Sequence, residues 1–182
     1  RDVLITKKEK KVQTKVESAF LKDNTELYDL SFKTEKEIKI KIEVDTDPPL
    51  GFSTEQKLSL MPFSFMTRCF TLSDLYAGKM HALIFRSYKN RVKGRDWYDF
   101  EWYVRHDVSL DFAHFQIRAK EFNGLDIDKE EFIKMLKEKI GTTDINMVKR
   151  DVMPFIQNPA ELDIWSNDYF LQLADRIKYR QP

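Results

Sequence analysis

The chain has 182 residues, with 31 basic and 30 acidic side chains and a formal charge of +1. That length can bury a core in one domain or two small ones, and the balanced charge gives no global case for a nucleic-acid binder, so any basic site must be local. The single cysteine, Cys69, excludes an internal disulfide and a cysteine zinc cluster and reads as an inert core thiol in a reducing compartment.

No signal peptide and no apolar run approaching about 18 residues is read in the sequence. A cytoplasmic location without a membrane partner is therefore expected. The first residue is Arg rather than Met, which reads as a piece of a longer polypeptide.

Residues 1–22 carry seven basic against three acidic side chains. Val12, Val16, Ala19 and Phe20 recur at helical spacing, predicting an amphipathic helix whose basic face is either simply solvated or an RNA contact. Glu26–Phe32 and Ile38–Asp45 alternate about the polar turn at residues 33–37 and predict two strands. In the second, Ile38, Ile40, Ile42 and Val44 share one face and Lys39, Lys41, Glu43 and Asp45 the other, before Pro48 and Pro49 stop it. Glu43 and Asp45 at i,i+2 could hold a hard cation such as Mg²⁺; they could equally belong to an exposed face of alternating charge. Residues 57–70 read as one more strand, broken or bulged at Pro62, leading into a helix.

That helix begins at Thr71 or Ser73 as N-cap with Asp74 in the first turn, where acid is favoured. At 3.6 residues per turn Leu72, Leu75, Lys79, Ala82, Leu83 and Arg86 fall on one face, which would place Lys79 among leucines on the buried side. An ammonium there needs an anion or a route to water. Gly78 beside it would let a backbone or ligand approach closely.

From Arg86 to Arg95 five of ten residues are basic and none is acidic, so this turn either steers a triphosphate or RNA or is merely solvated. The second helix, Arg95 to about Arg105, is apolar nearly all round, with Asp96 and Asp99 at i,i+3 able to converge on one edge. The cluster is either a set of structural ion pairs among Lys79, Arg86, Arg95 and the two aspartates, or a phosphate-handling site.

Further helices are expected over Leu110–Phe122, Lys129–Ile140 behind Asp128 as cap, Ile145–Gln157 with a kink at Pro154, and Ala160–Tyr179. His81, His106 and His114 lack zinc-site spacing and read as surface or capped histidines. Trp165 and the Tyr169–Leu171 cluster read as core.

The run Leu72, Asp74, Leu75, Ala77, Lys79, Ala82 and Leu83, then Arg95, Asp96, Tyr98, Asp99 and Phe100, resembles the AbiEii/AbiGii toxin family of nucleotidyltransferases. These are the toxin halves of bicistronic toxin–antitoxin and abortive-infection systems. Of that family's four motifs these resemble the third and fourth, and Lys41-Ile42-Glu43-Val44 resembles the second. The expected fold is α+β. The resemblance makes residues 1–70 a partial nucleotidyltransferase-type mixed sheet and residues 71–182 a helical bundle bearing the Lys and Arg-Asp-x-x-Asp motifs.

It also implies transfer of a nucleotidyl group from an NTP to an acceptor hydroxyl, with RNA (tRNA ends in some members) as acceptor and a cognate antitoxin as partner. Lys79 would ground the triphosphate, with Arg86 and Arg95 in the nucleotide site. Asp96 or Asp99 would orient the lysine or act as base. Mg²⁺ would sit on Glu43, with Asp45 as the alternative.

The family's first motif, Gly-Ser followed by an Asp pair, does not occur between Arg1 and Glu43. The isolated chain is accordingly expected to be inactive, with activity residing in a longer parent. The rival expectation is a non-catalytic scaffold, or an antitoxin- or RNA-interaction module, whose Lys79–Asp99 cluster is structural.

Overall fold

A computed structural model of the chain describes residues 4–8, 11–17, 39–45, 49–61, 63–86 and 92–181, the first three segments by their backbone. The chain separates into two compact units, Arg1–Pro48 and Pro49–Pro182.

In the first unit β1 (Leu4–Lys8), β2 (Lys11–Glu17) and β3 (Lys39–Asp45) form an antiparallel sheet in the order β1-β2-β3. The helix expected over residues 1–22 is thus a hairpin where it is described. Val12 and Val16 are four apart and satisfy both the helical and the two-residue period. Thr14 between them completes an alternation of β-branched residues with Lys11, Gln13 and Lys15, and stiff β-branched side chains favour the extended chain. The strand expected over Glu26–Phe32 lies outside the described residues. β3 follows the alternation read from the sequence, and its register sets Gln13 opposite Glu43 and Lys11 opposite Asp45.

The second unit opens with β4 (Thr54–Ser59) and β5 (Phe65–Phe70), an antiparallel pair. The single strand expected over 57–70, broken or bulged at Pro62, is two antiparallel strands, the first ending at Ser59 and the second starting at Phe65. All pairings between described strands are antiparallel, so α+β holds while these strands form no mixed sheet. The boundary between the two compact units falls at Pro48–Pro49. The lead into β4 is tied to the following helix: the Thr71 amide donates to the Ser53 carbonyl at 3.2 Å, and the Ser53 amide donates to Asp74 Oδ2 at 3.2 Å.

Among the described residues six α-helices follow: α1 (Leu72–Phe85), α2 (Gly94–Arg105), α3 (Phe112–Asn123), α4 (Lys129–Thr142), α5 (Ile145–Val152) and α6 (Asn167–Ala174). Thr71, Asp111, Asp128, Asp144 and Ser166 cap five of them through side-chain oxygens that accept early amide N–H groups. Gly124, at φ +69°, closes α3 in the left-handed conformation that glycine adopts without a Cβ clash.

The last two expected helices are shorter than their periodicity suggested. α5 gives way to a 3-10 turn, Met153–Phe155, because Pro154 lacks the amide that would continue the ladder. The last segment begins as a 3-10 turn, Pro159–Leu162, and restarts at Ser166. Between them Trp165 is buried and its Nε1–H donates to Glu101 at 3.0 Å, fixing the break.

The core is aromatic, as expected for Trp165 and Phe170. Trp97 and Trp165 meet Phe170 edge-on at 4.9 and 5.1 Å, and Phe115 meets Phe132 at 4.8 Å. Each such ring contributes roughly 1.5–3 kcal/mol by burial. This core holds α1, α2 and α5 in the arrangement from which the site is built.

Candidate active site

α1 and α2 pack together with their charged residues on one edge. Lys79 Nζ lies 2.6 Å from Asp99 Oδ2, and one end further along α1 the Arg86 guanidinium lies 3.3 Å from Asp96 Oδ2. Seven residues along α1 to its C-cap, about 10.5 Å of rise, meet three along α2, about 4.5 Å, in reverse order, and the long Lys79 and Arg86 side chains span the difference.

Lys79 is not surrounded by leucines. Leu72 is 39% and Leu75 41% exposed, while Ala82 and Leu83 of that face are buried along with a stripe centred on Tyr76, Ala77, Met80 and Ile84. That stripe is turned by roughly a quarter of a revolution from the leucine face. Tyr76 and Met80 are fully buried, and Tyr76 is stacked on Tyr103 of α2 at 4.5 Å. The Lys79 side chain is 44% exposed, so it sits at the edge of the core, paired yet reachable. The expectation of an ammonium in apolar surroundings is corrected to that of an oriented ammonium at a cleft. Gly78 is not sterically required either, since a Cβ there would meet Arg118 at an ordinary 3.9 Å.

The two aspartates differ. Asp96 is almost wholly buried and Asp99 about one third exposed. Burial, with Asp99's charge as a second cause, pushes the Tyr103 hydroxyl up to about 12.

Lys79 borders two clefts. The first, about 410 Å³, is lined by Lys79, Lys93, Arg95, Asp96, Tyr98 and Asp99 on its charged side and by Val152, Phe155 and Ile156 on the other. It brings together four of the residues singled out from the sequence: Lys79, Arg95, Asp96 and Asp99. The second, about 270 Å³, holds Lys79, Arg86, Lys93 and Arg118 with Asp74 as its one carboxylate, alongside His114 and Gly78. Arg86 thus faces the second cleft while pairing with an aspartate of the first. Glu43 and Asp45 lie in the other unit and are placed by β3's backbone. The rest of the basic turn, residues 87–91, lies outside the described residues.

Several lining residues escaped the sequence reading. His114, expected to be a surface or capped histidine, is 4% exposed; its Nδ1 faces the Leu50 carbonyl at 3.3 Å, which requires that nitrogen to donate. Burial and then the Arg118 charge hold its pKa below the usual histidine value. His114 and Arg118 at i,i+4 on α3 were the available signal. Asp74, read only as a first-turn acid, is buried, with Oδ2 bonded to the Thr71 hydroxyl and the Ser53 amide. Phe155 and Ile156 carried no such signal, for they reach the cleft only through the turn at Pro154.

Asp96 and Asp99 each face a cation, so they form no vacant carboxylate pair. Among the described residues no group of three or more histidine, cysteine, aspartate or glutamate side chains is arranged to hold a metal ion. No helix among the described residues is long and apolar enough to cross a membrane.

A family model described as the nucleotidyl transferase AbiEii toxin of a type IV toxin–antitoxin system matches residues 2–173. The chain belongs to this family. AbiEii membership spans both units, covers the Lys79 and Asp96–Asp99 motifs as well as β3, and implies a nucleotide substrate and a cognate antitoxin. Neither the curated proteins nor the solved structures give a match.

Proposed function

We propose that the chain acts in nucleotidyl transfer from an NTP to an RNA hydroxyl, with the triphosphate held in the cleft between α2 and the end of α5. The observation that carries this reading is the Lys79–Asp99 pair. A 2.6 Å contact to a carboxylate fixes the ammonium's direction, while 44% exposure leaves it free to meet an incoming anion. Lysine is a compact point charge suited to phosphate, and Arg95 and Lys93 on the same wall add donors that a polyphosphate can span.

The acceptor oxygen forms a bond to the α-phosphorus as the bond from that phosphorus to the bridging oxygen breaks. Pyrophosphate leaves with the electron pair, and the hydroxyl proton passes to a base. Lys79 and Arg95 hold the charge that builds on the departing group, a positioning and electrostatic task. Asp99 orients Lys79. Asp96, buried against Arg86, braces the start of α2. The second cleft gathers Lys93 and Arg118 with Lys79 and Arg86, each of the last two already paired to an aspartate of α2, and we assign the phosphate backbone of the RNA acceptor to it.

Glu43 and Asp45, at i,i+2 on β3, are the residues that would hold Mg²⁺. Glu43 is the better candidate, because the register sets Lys11 opposite Asp45 and only Gln13 opposite Glu43. Such an ion would neutralise phosphate charge when bound.

The test is incubation of the full-length protein with labelled NTPs, Mg²⁺ and total RNA, comparing wild type with Lys79→Ala and Asp96→Asn. Label on RNA that falls by about 100-fold or more in Lys79→Ala is expected, in the range for losing a preorganised charge. Equal labelling in all three proteins would refute the assignment and leave the cluster a structural one.

A further inference from the structure

The triphosphate reading leaves the apolar wall of the first cleft without a task. Phe155 is 65% exposed there, beside buried Val152 and half-buried Ile156. One face of its ring is covered by the Arg95 guanidinium, 5.4 Å from the centroid.

The ring is held by rigid elements. At Gly94, the first residue of α2, a Cβ would come within 2.5 Å of the Val148 carbonyl oxygen and 2.9 Å of the Val152 amide nitrogen, so only glycine lets α5 approach this closely. The Gly94 amide also donates to Asp151 Oδ2 at 2.8 Å. The turn Met153–Phe155 leaves α5 directly after this junction, with Pro154 fixing its backbone. Phe155 is thereby positioned against Arg95, in the cleft that Asp99 also lines, by helix packing.

The cleft has one charged wall and one apolar, aromatic wall, within the volume range of small-molecule sites. A nucleoside triphosphate has the same polarity, an aromatic base at one end and a polyanion at the other. We propose that Phe155 is the platform on which the nucleobase of the bound NTP stacks. This rests on the reading of the Lys79 wall as the triphosphate site. Every base presents a π-face, so the platform favours nucleotides over bare polyphosphates without choosing among bases.

The test compares two probes on the full-length protein by equilibrium titration in Mg²⁺: ATP, which carries a base, and inorganic tripolyphosphate, which does not. Phe155→Ala is expected to weaken ATP binding roughly tenfold and leave tripolyphosphate within about twofold. Phe155→Leu should lose nearly as much as Phe155→Ala, because it keeps apolar bulk without a π-face, and Phe155→Trp should restore binding. Thermal melts establish that the variants fold, which the ring's exposure favours. Equal effects of Phe155→Ala on both probes, or no effect on either, would overturn the platform. Lys79→Ala should weaken both probes; if it weakened neither, the triphosphate reading would fall and the platform with it.

Discussion

Replacing Gly94 with alanine tests how the cleft is assembled. The new methyl would sit 2.5 Å from the Val148 carbonyl oxygen, 2.9 Å from the Val152 amide nitrogen and 3.0 Å from the Val152 Cβ. Two of these are backbone atoms inside or at the end of α5, so no side-chain rotation relieves the clash and α5 must move off α2. Overpacking of this kind costs roughly 1–3 kcal/mol. For a chain of this size that corresponds to a Tm lower by roughly 3–10 °C.

Gly141, in the last turn of α4, is the control. A Cβ there meets nothing within 4 Å, so Gly141→Ala should stabilise by about 0.5–1 kcal/mol through reduced freedom of the unfolded chain. Circular dichroism melts and urea midpoints measure both. A Gly94→Ala protein as stable as wild type, or two variants shifting in the same direction, would refute the close approach of α2 and α5.

Other perturbations separate the two ion pairs. Arg86→Ala removes the guanidinium paired with the buried Asp96 carboxylate and should cost about 1–3 kcal/mol in urea unfolding, with Asp96→Asn recovering part of it in the double variant. Asp99→Asn breaks a pair whose partners are both substantially exposed, so it should change stability by less than about 1 kcal/mol while weakening triphosphate binding in the same titrations. Burial lowers the pKa values of His81 and His114 below 6.5. The unfolded chain therefore binds protons first, and the stability they confer is complete above that value and lost as pH falls through it toward the folded values. Urea midpoints at pH 7.5 and 5.5 should differ less in a His81→Asn/His114→Gln variant than in wild type; an identical pH dependence would remove these histidines from the account.

The sequence was most legible where charge and capping dictate local structure. Thr71 and Asp128 start their helices as read, and β3 keeps its alternation. Lys79, Arg95, Asp96 and Asp99 meet in one cleft because their spacings suit two packed helices. It was least legible where two periods coincide or where burial depends on a distant partner. Val12 and Val16 fit a helix and a strand equally, and pairing with β3 decides for the strand. Leu72 and Leu75 of α1 looked buried, but the buried stripe includes Tyr76, which finds its aromatic partner Tyr103 on α2, a contact that periodicity cannot reveal. Phe155 was invisible as a site residue because a proline turn, not a helical repeat, carries it to the cleft.

The most direct measurement uses one nucleotide labelled at two positions. The full-length protein is incubated with Mg²⁺, RNA and an NTP carrying label on either its α- or its γ-phosphate. Nucleotidyl transfer places the α-label on RNA and sends the γ-label into pyrophosphate, with both signals depending on Lys79. Label from the γ-position on RNA, or α-label transfer that persists in Lys79→Ala, would contradict the chemistry assigned to this cleft.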